Sequence, residues 1–311
     1  MFIGFKARAP GLSHSEQNLC QDAADAVLLG QKRIGIALVA DGHGSKRHFR
    51  SDQGSRLAVA VAKKAITQFI EITERKKVAF WDGSAGSNVK KIAETLKQLE
   101  SNIIYCWREA VLQDIKTKPF NEEEHGICTE NNIDIEDEND LVAVYGSTLL
   151  GAVIAEGFWF AIQIGDGACV ILTEEGNAEI GIPEDERLEF GRTTSLCNTD
   201  AVESFRHSFG DSILGITVAS DGVTDSFIPE KYTDFNMQLL RNFIKYPDRA
   251  ERNLQEFLPK LSERGSHDDV SIAGIINLSK GKQILDNIQE AYPADPAEYG
   301  DYCTPGRLPH A

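Results

Sequence analysis

The chain has 311 residues, with 32 Lys and Arg against 48 Asp and Glu, for a formal net charge of −16; 41% of residues are hydrophobic and 26% charged. That balance can bury a large core and excludes a mainly disordered chain. An acidic surplus without a basic cluster also argues against a nucleic-acid backbone as partner, because such binding rests on Lys and Arg displacing counterions.

Read in chain order, the first clear element is Arg33 to Ala40 (RIGIALVA), a short β-branched run that ends at Asp41-Gly42 and reads as a buried strand followed by a turn. Leu57, Val61, Ala65, Phe69 and Ile72 then recur at helical spacing, which predicts a helix from Ser51-Asp52 to about Thr73. A second long helix is predicted from Asn88 to about Ile115, with Ile92, Leu96, Leu99, Ile103, Trp107, Val111 and Ile115 on one face. Asn121 to Asp140 holds nine Asp or Glu and no Lys or Arg, so it reads as a solvated acidic loop.

Strands follow. Ser147 to Ala155, a turn at Glu156-Gly157, Phe158 to Ile164 and Cys169 to Leu172 read as an antiparallel meander. Ile213 to Ala219 is a further strand, Asp234 to Tyr246 and Arg249 to Leu258 are helices, and Val270 to Leu278 is a last strand. Helices early and late, with strands between and beyond, predict an α+β fold: a four-layer α-β-β-α sandwich of two mainly antiparallel sheets flanked by helices. The expected domain spans residues 1–280 with an acidic insertion at about 117–140. A tail at 281–311 carries Pro293, Pro296, Pro305 and Pro309 and reads as partly mobile.

The longest apolar stretch, Leu141 to Ala155, is too short and too interrupted to span a membrane, and no charged, apolar and small-residue order marks a secretory signal at the N-terminus. Six cysteines without a CxxC pair read as reduced thiols, so the expected location is the cytoplasm, with no membrane partner.

The chemistry sits where strands end. LVADGHG places Asp41, AIQIGDG places Asp166 and TVASDGV places Asp221, each just past an apolar run; Asp268-Asp269 opens the last strand and Asp22 lies in CQDAAD. One Asp-Gly is an ordinary turn. Carboxylates brought to one end of a sandwich from distant parts of the chain would repel unless a cation lay among them. An all-oxygen set suits a hard ion such as Mg²⁺ or Mn²⁺. The seven histidines show no HExxH or i, i+4 pair, and GxSxG and GxxxxGK[ST] are absent, so zinc, covalent-serine and P-loop chemistry lack a motif.

CQDA at 20–23, VADGHG at 39–44, GST at 146–148, IGDG at 164–167, VASDG at 218–222 and HDDVS at 267–271 stand in the order of a known family. With them, the sequence resembles the metal-dependent serine/threonine protein phosphatases of the 2C type. The resemblance implies two Mn²⁺ or Mg²⁺ ions, with Asp41 bridging them, the Gly42 carbonyl and Asp22 on the second ion, and Asp221 and Asp268 on the first. It implies hydrolysis of phosphoserine or phosphothreonine by a metal-bridging hydroxide without a phosphoenzyme, with His43 as general acid. The implied partner is a phosphorylated protein, the target of a kinase. Asp166 and Asp225 match positions expected to be mainly structural. Gln21 stands where the family often has Glu, Gln17 where it has a phosphate-binding Arg, and Ala143 where many members carry a third-metal Asp; His14 is the nearest substitute phosphate contact. The motifs specify the phosphoryl group and little else, so a small phosphorylated metabolite or an inert phosphoprotein-binding relative remain as other readings.

Overall fold

The computed structural model describes residues 1–12, 19–31, 33–76, 88–183 and 193–285. Ten strands form two five-stranded antiparallel sheets. One has the order β1-β10-β9-β6-β7, from β1 (Phe2–Ala9), β6 (Ala168–Leu172), β7 (Ala178–Ile180), β9 (Gly215–Ala219) and β10 (Val270–Asn277). The other has the order β2-β3-β4-β5-β8, from β2 (Ala23–Leu29), β3 (Ile34–Ala40), β4 (Leu149–Ala155), β5 (Phe158–Ile164) and β8 (Arg206–Gly210). The long helices α1 (Ser51–Arg75) and α2 (Val89–Thr117) cover the second sheet, and α7 (Pro229–Lys245) and α8 (Pro247–Arg264) cover the first. This is the expected four-layer sandwich.

Three buried layers follow from the sequence pattern. β3, β4, β5, β9 and β10 are buried at every position, as strands in the middle of a sandwich must be, and the sheets meet at Val39, Ala152, Ile154, Val218 and Ile275. The apolar stripes of α1 and α2 close on the outer face of β3 and β4 through Ile66, Ile70, Leu96 and Ile103. Trp107, fully buried, also donates its indole N–H to the Gly54 carbonyl at 3.0 Å, so the largest side chain of α2 satisfies its one polar atom on α1. Gly54 is required there: a Cβ would stand 1.8 Å from the Tyr145 carbonyl oxygen.

Two expectations need correction. β4 and β5 form a hairpin, but β6 leaves it for the other sheet, where it pairs with β9 and β7. The connection through Gly165-Asp166-Gly167 therefore crosses between layers, with Gly165 at φ +106°. The acidic segment is also not a solvated loop. It contains α3 (Glu122–Glu130) and α4 (Glu138–Ala143). Asn121 and Glu124 form a reciprocal capping box, Asp137 caps α4, and early Glu residues favour the positive end of each helix dipole. Cys128 and Ile133 enter the core, giving the segment an apolar anchor.

Arg50 supplies the polar anchor. Its guanidinium makes paired bonds to Glu124 at 2.6 and 2.8 Å, donates to the Lys118 carbonyl and Tyr145 hydroxyl, and lies 4.6 Å over the Phe120 ring. The short helices α5 (Ala201–Ser204) and α6 (Asp221–Thr224) follow loops, and α9 (Leu278–Ile284) caps the end of β10. Among the described residues no helix is long and apolar enough to cross a membrane, and Cys20, Cys106, Cys128, Cys169 and Cys197 are free thiols.

Candidate active site

Strand register gathers the acids. Ala23 pairs with Ala40, which sets Asp22 beside Asp41 at adjacent strand ends of one sheet. Ala219 pairs with both Ile272 and Ala168, which brings Asp221, Asp268 and Asp166 to the same end of the other sheet. The mutual effects of Asp22, Asp41, Asp166, Asp221 and Asp268 on one another's ionisation follow from that convergence.

The loops are fixed before any ligand enters. The Asp41 amide donates to the Thr148 hydroxyl at 3.0 Å, the Thr148 amide to the Asp41 carbonyl at 2.8 Å, and the His43 amide to the Gly146 carbonyl at 3.1 Å, so VADGHG is clipped to GST. Gly42 lies in a bridge with Ser147, and a Cβ there would stand 2.7 Å from the Ser51 carbonyl oxygen. Across the cleft, the Ser220 amide donates to the Ser271 carbonyl and the Ser271 amide to the Ser220 hydroxyl, fixing the loop that carries Asp221. His267, at φ +64°, turns the chain into Asp268.

Burial grades across the cluster. Asp22 has no solvent exposure, Asp41, Asp166 and Asp221 are partly buried, and Asp268 sits at the exposed rim. Burial raises the Asp22 carboxyl to about 6 from an ordinary 3.8. Asp41 is held well above the carboxylate range by burial and then by Asp221 and Asp22; Asp221 is raised by burial and then by Asp166 and Asp268. No described residue makes a hydrogen bond of ordinary geometry to either Asp22 carboxylate oxygen or to Gln21 Oε1, although the Ser220 and Ser271 hydroxyls and the Asp41 carboxyl lie close enough to Asp22 to offset part of the effect of burial. Buried oxygens normally find donors, so these are acceptors held ready for a positive group. Every atom on offer is a carboxylate or carbonyl oxygen, which fits Mg²⁺ or Mn²⁺ better than a soft metal. Among the described residues no three side chains already close on one ion position: Asp221 Oδ1 accepts from the Gly222 amide at 2.7 Å and Asp268 Oδ1 from the Asp269 amide at 2.8 Å.

His43, two residues after Asp41, has its ring centroid 5.0 Å from that of His48. Burial, then the neighbouring His48, lowers its pKa to about 4, so the imidazole is neutral at pH 7. His48 is lowered too, mainly by burial, and its Nδ1 bonds to the Ala143 carbonyl. Gly146 separates the rings: a Cβ there would stand 2.6 Å from His43 Cδ2 and 2.7 Å from His48 Nδ1.

The second member of the acidic pair does a different job. Asp269 is buried and accepts from the Gly11 amide with one oxygen and the Gln21 amide with the other, both at 2.6 Å. It thereby ties both flanks of residues 13–18 to β10. His14 and Gln17 lie outside the described residues. The sequence shows Asp269 only as the second member of an acidic pair, with no role of its own, and nothing local marks His48 or Arg50.

A family model described as protein phosphatase 2C matches residues 11–259. The chain belongs to the protein phosphatase 2C family. No curated protein matches it. Among solved structures, a Caenorhabditis elegans sex-determining protein is 15% identical with a TM-score of 0.55, covering 93% of this chain and 68% of that one. The Mycobacterium tuberculosis serine/threonine phosphatase PstP/Ppp is 17% identical with a TM-score of 0.52, covering 88% and 98%. The catalytic domain of PstP in complex with two manganese ions is 18% identical with a TM-score of 0.52, covering 88% and 97%. At such identities these neighbours share the fold with this family member, and the chemistry rests on its own residues.

Proposed function

We infer that the chain is a metal-dependent protein phosphatase that hydrolyses phosphoserine and phosphothreonine in kinase-modified proteins. The observation that carries this reading is the convergence of Asp22, Asp41, Asp166, Asp221 and Asp268, with Asp22 fully buried among them. Such a cluster is costly on its own and becomes favourable when divalent cations enter it. Asp41 would bridge two Mn²⁺ or Mg²⁺ ions, the Gly42 carbonyl and Asp22 would serve one of them, and Asp221 and Asp268 the other. Ions held there supply an activated water and neutralise phosphoryl oxygens.

The remaining work falls to the chain. The clip between VADGHG and GST keeps Asp41, Gly42 and His43 in one geometry, which limits the reorganisation needed when substrate arrives. His43 acts on the leaving alkoxide. It is neutral in the free protein, and a phosphoryl dianion beside the ring raises its proton affinity, so the proton is held at the imidazole only when there is an oxygen to receive it. His14 could contact the phosphate in place of the absent arginine. The proposed location is the cytoplasm, with neither nucleic acid nor membrane as partner.

Turnover of a phosphothreonine peptide and of p-nitrophenyl phosphate tests the assignment. Activity should need Mn²⁺ or Mg²⁺ and vanish with EDTA. His43→Ala should lose about 10²-fold or more on the peptide and far less on the aryl ester, whose phenolate leaves without a proton. Equal losses on both substrates would remove His43 from the acid role, and turnover confined to small metabolites would replace the protein substrate.

A further inference from the structure

A depression of about 460 Å³ lies where the edge strands β1 and β2 of the two sheets meet α1. Its floor is truncated, with alanines at Ala7, Ala23, Ala24 and Ala60. Its walls are cationic, and the positions follow from secondary-structure periods. Lys6 and Arg8 alternate with buried Phe5, Ala7 and Ala9 and so share the outward face of β1. Arg56 and Lys63 are seven apart on α1, two turns along one face, with Ala60 between them. Four cations thus face one another across a groove in a chain of net charge −16, although no two of them are neighbours in sequence.

The acids on hand do not balance them. Asp25 is shared by Lys6 Nζ at 2.6 Å and Lys63 Nζ at 2.9 Å, and both lysines hold its carboxyl below the ordinary range against the effect of burial. Asp52 reaches Arg56 from the rim at 3.4 Å. Among the described residues Arg8 meets no carboxylate there; its NH1 donates to the Asp22 backbone carbonyl at 2.7 Å. Among the described residues two positive charges are left over, the charge of one phosphate monoester dianion. The volume lies within the range of small-molecule sites and is far more than phosphate alone needs.

We propose that this groove is an anion site, separate from the carboxylate cluster, that binds a small organic phosphate ester. The phosphate lies against Arg8 and the Lys6–Lys63 pair, where the two unbalanced charges are, and the organic body lies over the alanine floor toward Arg56. The site does not depend on the phosphatase reading, since none of its side chains belongs to the carboxylate cluster. It touches that cluster at one atom, the Asp22 carbonyl that Arg8 holds, so a bound ester would compete for the arginine that steadies Asp22.

The test uses the full chain, with and without Mn²⁺, and AMP and glucose 6-phosphate as probes in titration calorimetry, with adenosine and glucose as controls. The esters should bind saturably below about 1 mM in EDTA as well as in Mn²⁺, the controls should not bind, and affinity should fall with salt. Lys63→Glu and Lys6→Glu, both exposed positions, should each weaken ester binding about tenfold or more while leaving p-nitrophenyl phosphate turnover within about twofold. Asp41→Asn should leave ester binding in EDTA unchanged. Absence of saturable binding in EDTA to 5 mM (~five times the expected limit), loss of it in Asp41→Asn, or indifference to both lysine reversals would overturn the proposal. Tighter binding of a hexaglutamate peptide than of either ester would do so too, by assigning the groove to an acidic protein segment.

Discussion

Replacing Asp22 by Asn should change stability in opposite directions with and without metal. Asp22 is fully buried, and burial lifts its carboxyl to about 6 from 3.8 against the partial relief that Asp41, Ser271 and Ser220 give it. A group whose folded pKa lies above its unfolded value contributes stability that is present below the unfolded pKa and lost as pH rises through the folded one. At about 1.4 kcal/mol per pH unit, the gap between 3.8 and about 6 amounts to roughly 3 kcal/mol lost by pH 8. Asn is isosteric and neutral, and its amide can donate to the neighbouring carboxylates, so the metal-free variant should recover much of that energy. At about 2 °C per kcal/mol for a chain of this size, the melting temperature in EDTA at pH 8 should rise by about 4–6 °C. The gain should shrink as pH falls through 6 and disappear near 4. In saturating Mn²⁺ the order should reverse, because wild type then gains more from ligand binding than the variant does. Melting curves at pH 5, 6, 7 and 8 in both conditions read all of this. A variant less stable than wild type in EDTA at pH 8 would refute the reasoning, since the carboxylate would then contribute stability without any cation.

Gly146→Ala places a methyl group 2.6 Å from His43 Cδ2 and 2.7 Å from His48 Nδ1, so it should cost about tenfold or more in peptide turnover by displacing the imidazoles, with far-ultraviolet circular dichroism unchanged. Retained turnover would mean that His43 needs no fixed position. Arg50→Met leaves Glu124 and the Lys118 carbonyl without their donor beneath α3, and should cost about 2–4 kcal/mol by urea unfolding. A loss below about 0.5 kcal/mol would show that Cys128 and Ile133 alone anchor the acidic segment.

The sandwich was legible because buried strands and amphipathic helices write their periods openly. Ile92 through Val111 recur on one face of α2, and the uniform burial of β3 and β5 matches apolar runs broken in β5 only by Gln163. β1 and β2 were missed because edge strands alternate: Lys6, Arg8 and Asp25 dilute the apolar signal that central strands keep. The transfer of β6 to the other sheet was hidden for a different reason. A hairpin and a crossover both use Gly-Asp-Gly, and only the partner strand β9, 47 residues later by first position, decides between them. In the acidic segment, counting charges concealed the capping box of Asn121 and Glu124 and the lone apolar contacts of Cys128 and Ile133.

Within the site, Asp22, Asp41, Asp221 and Asp268 could be found because each sits at a strand end beside a turn residue, and antiparallel register carries such ends to one pole. Asp269 and Arg50 act on backbone amides and on a distant glutamate, so their partners are long-range and leave no spacing to read. The cationic groove is the same case: β1 and α1 meet only in the fold.

The most direct test of the carboxylate cluster as a two-metal hydrolytic centre is phosphothreonine-peptide turnover across a Mn²⁺ titration, in wild type and Asp41→Asn side by side. Asn keeps the size and the turn but removes the charge that would bridge two cations. Wild type should be silent in EDTA and rise to saturation with Mn²⁺, and the variant at saturating metal should be slower by at least about 10³-fold, roughly 4 kcal/mol in the barrier. Equal rates in the two proteins, or wild-type turnover that persists in EDTA, would contradict the account.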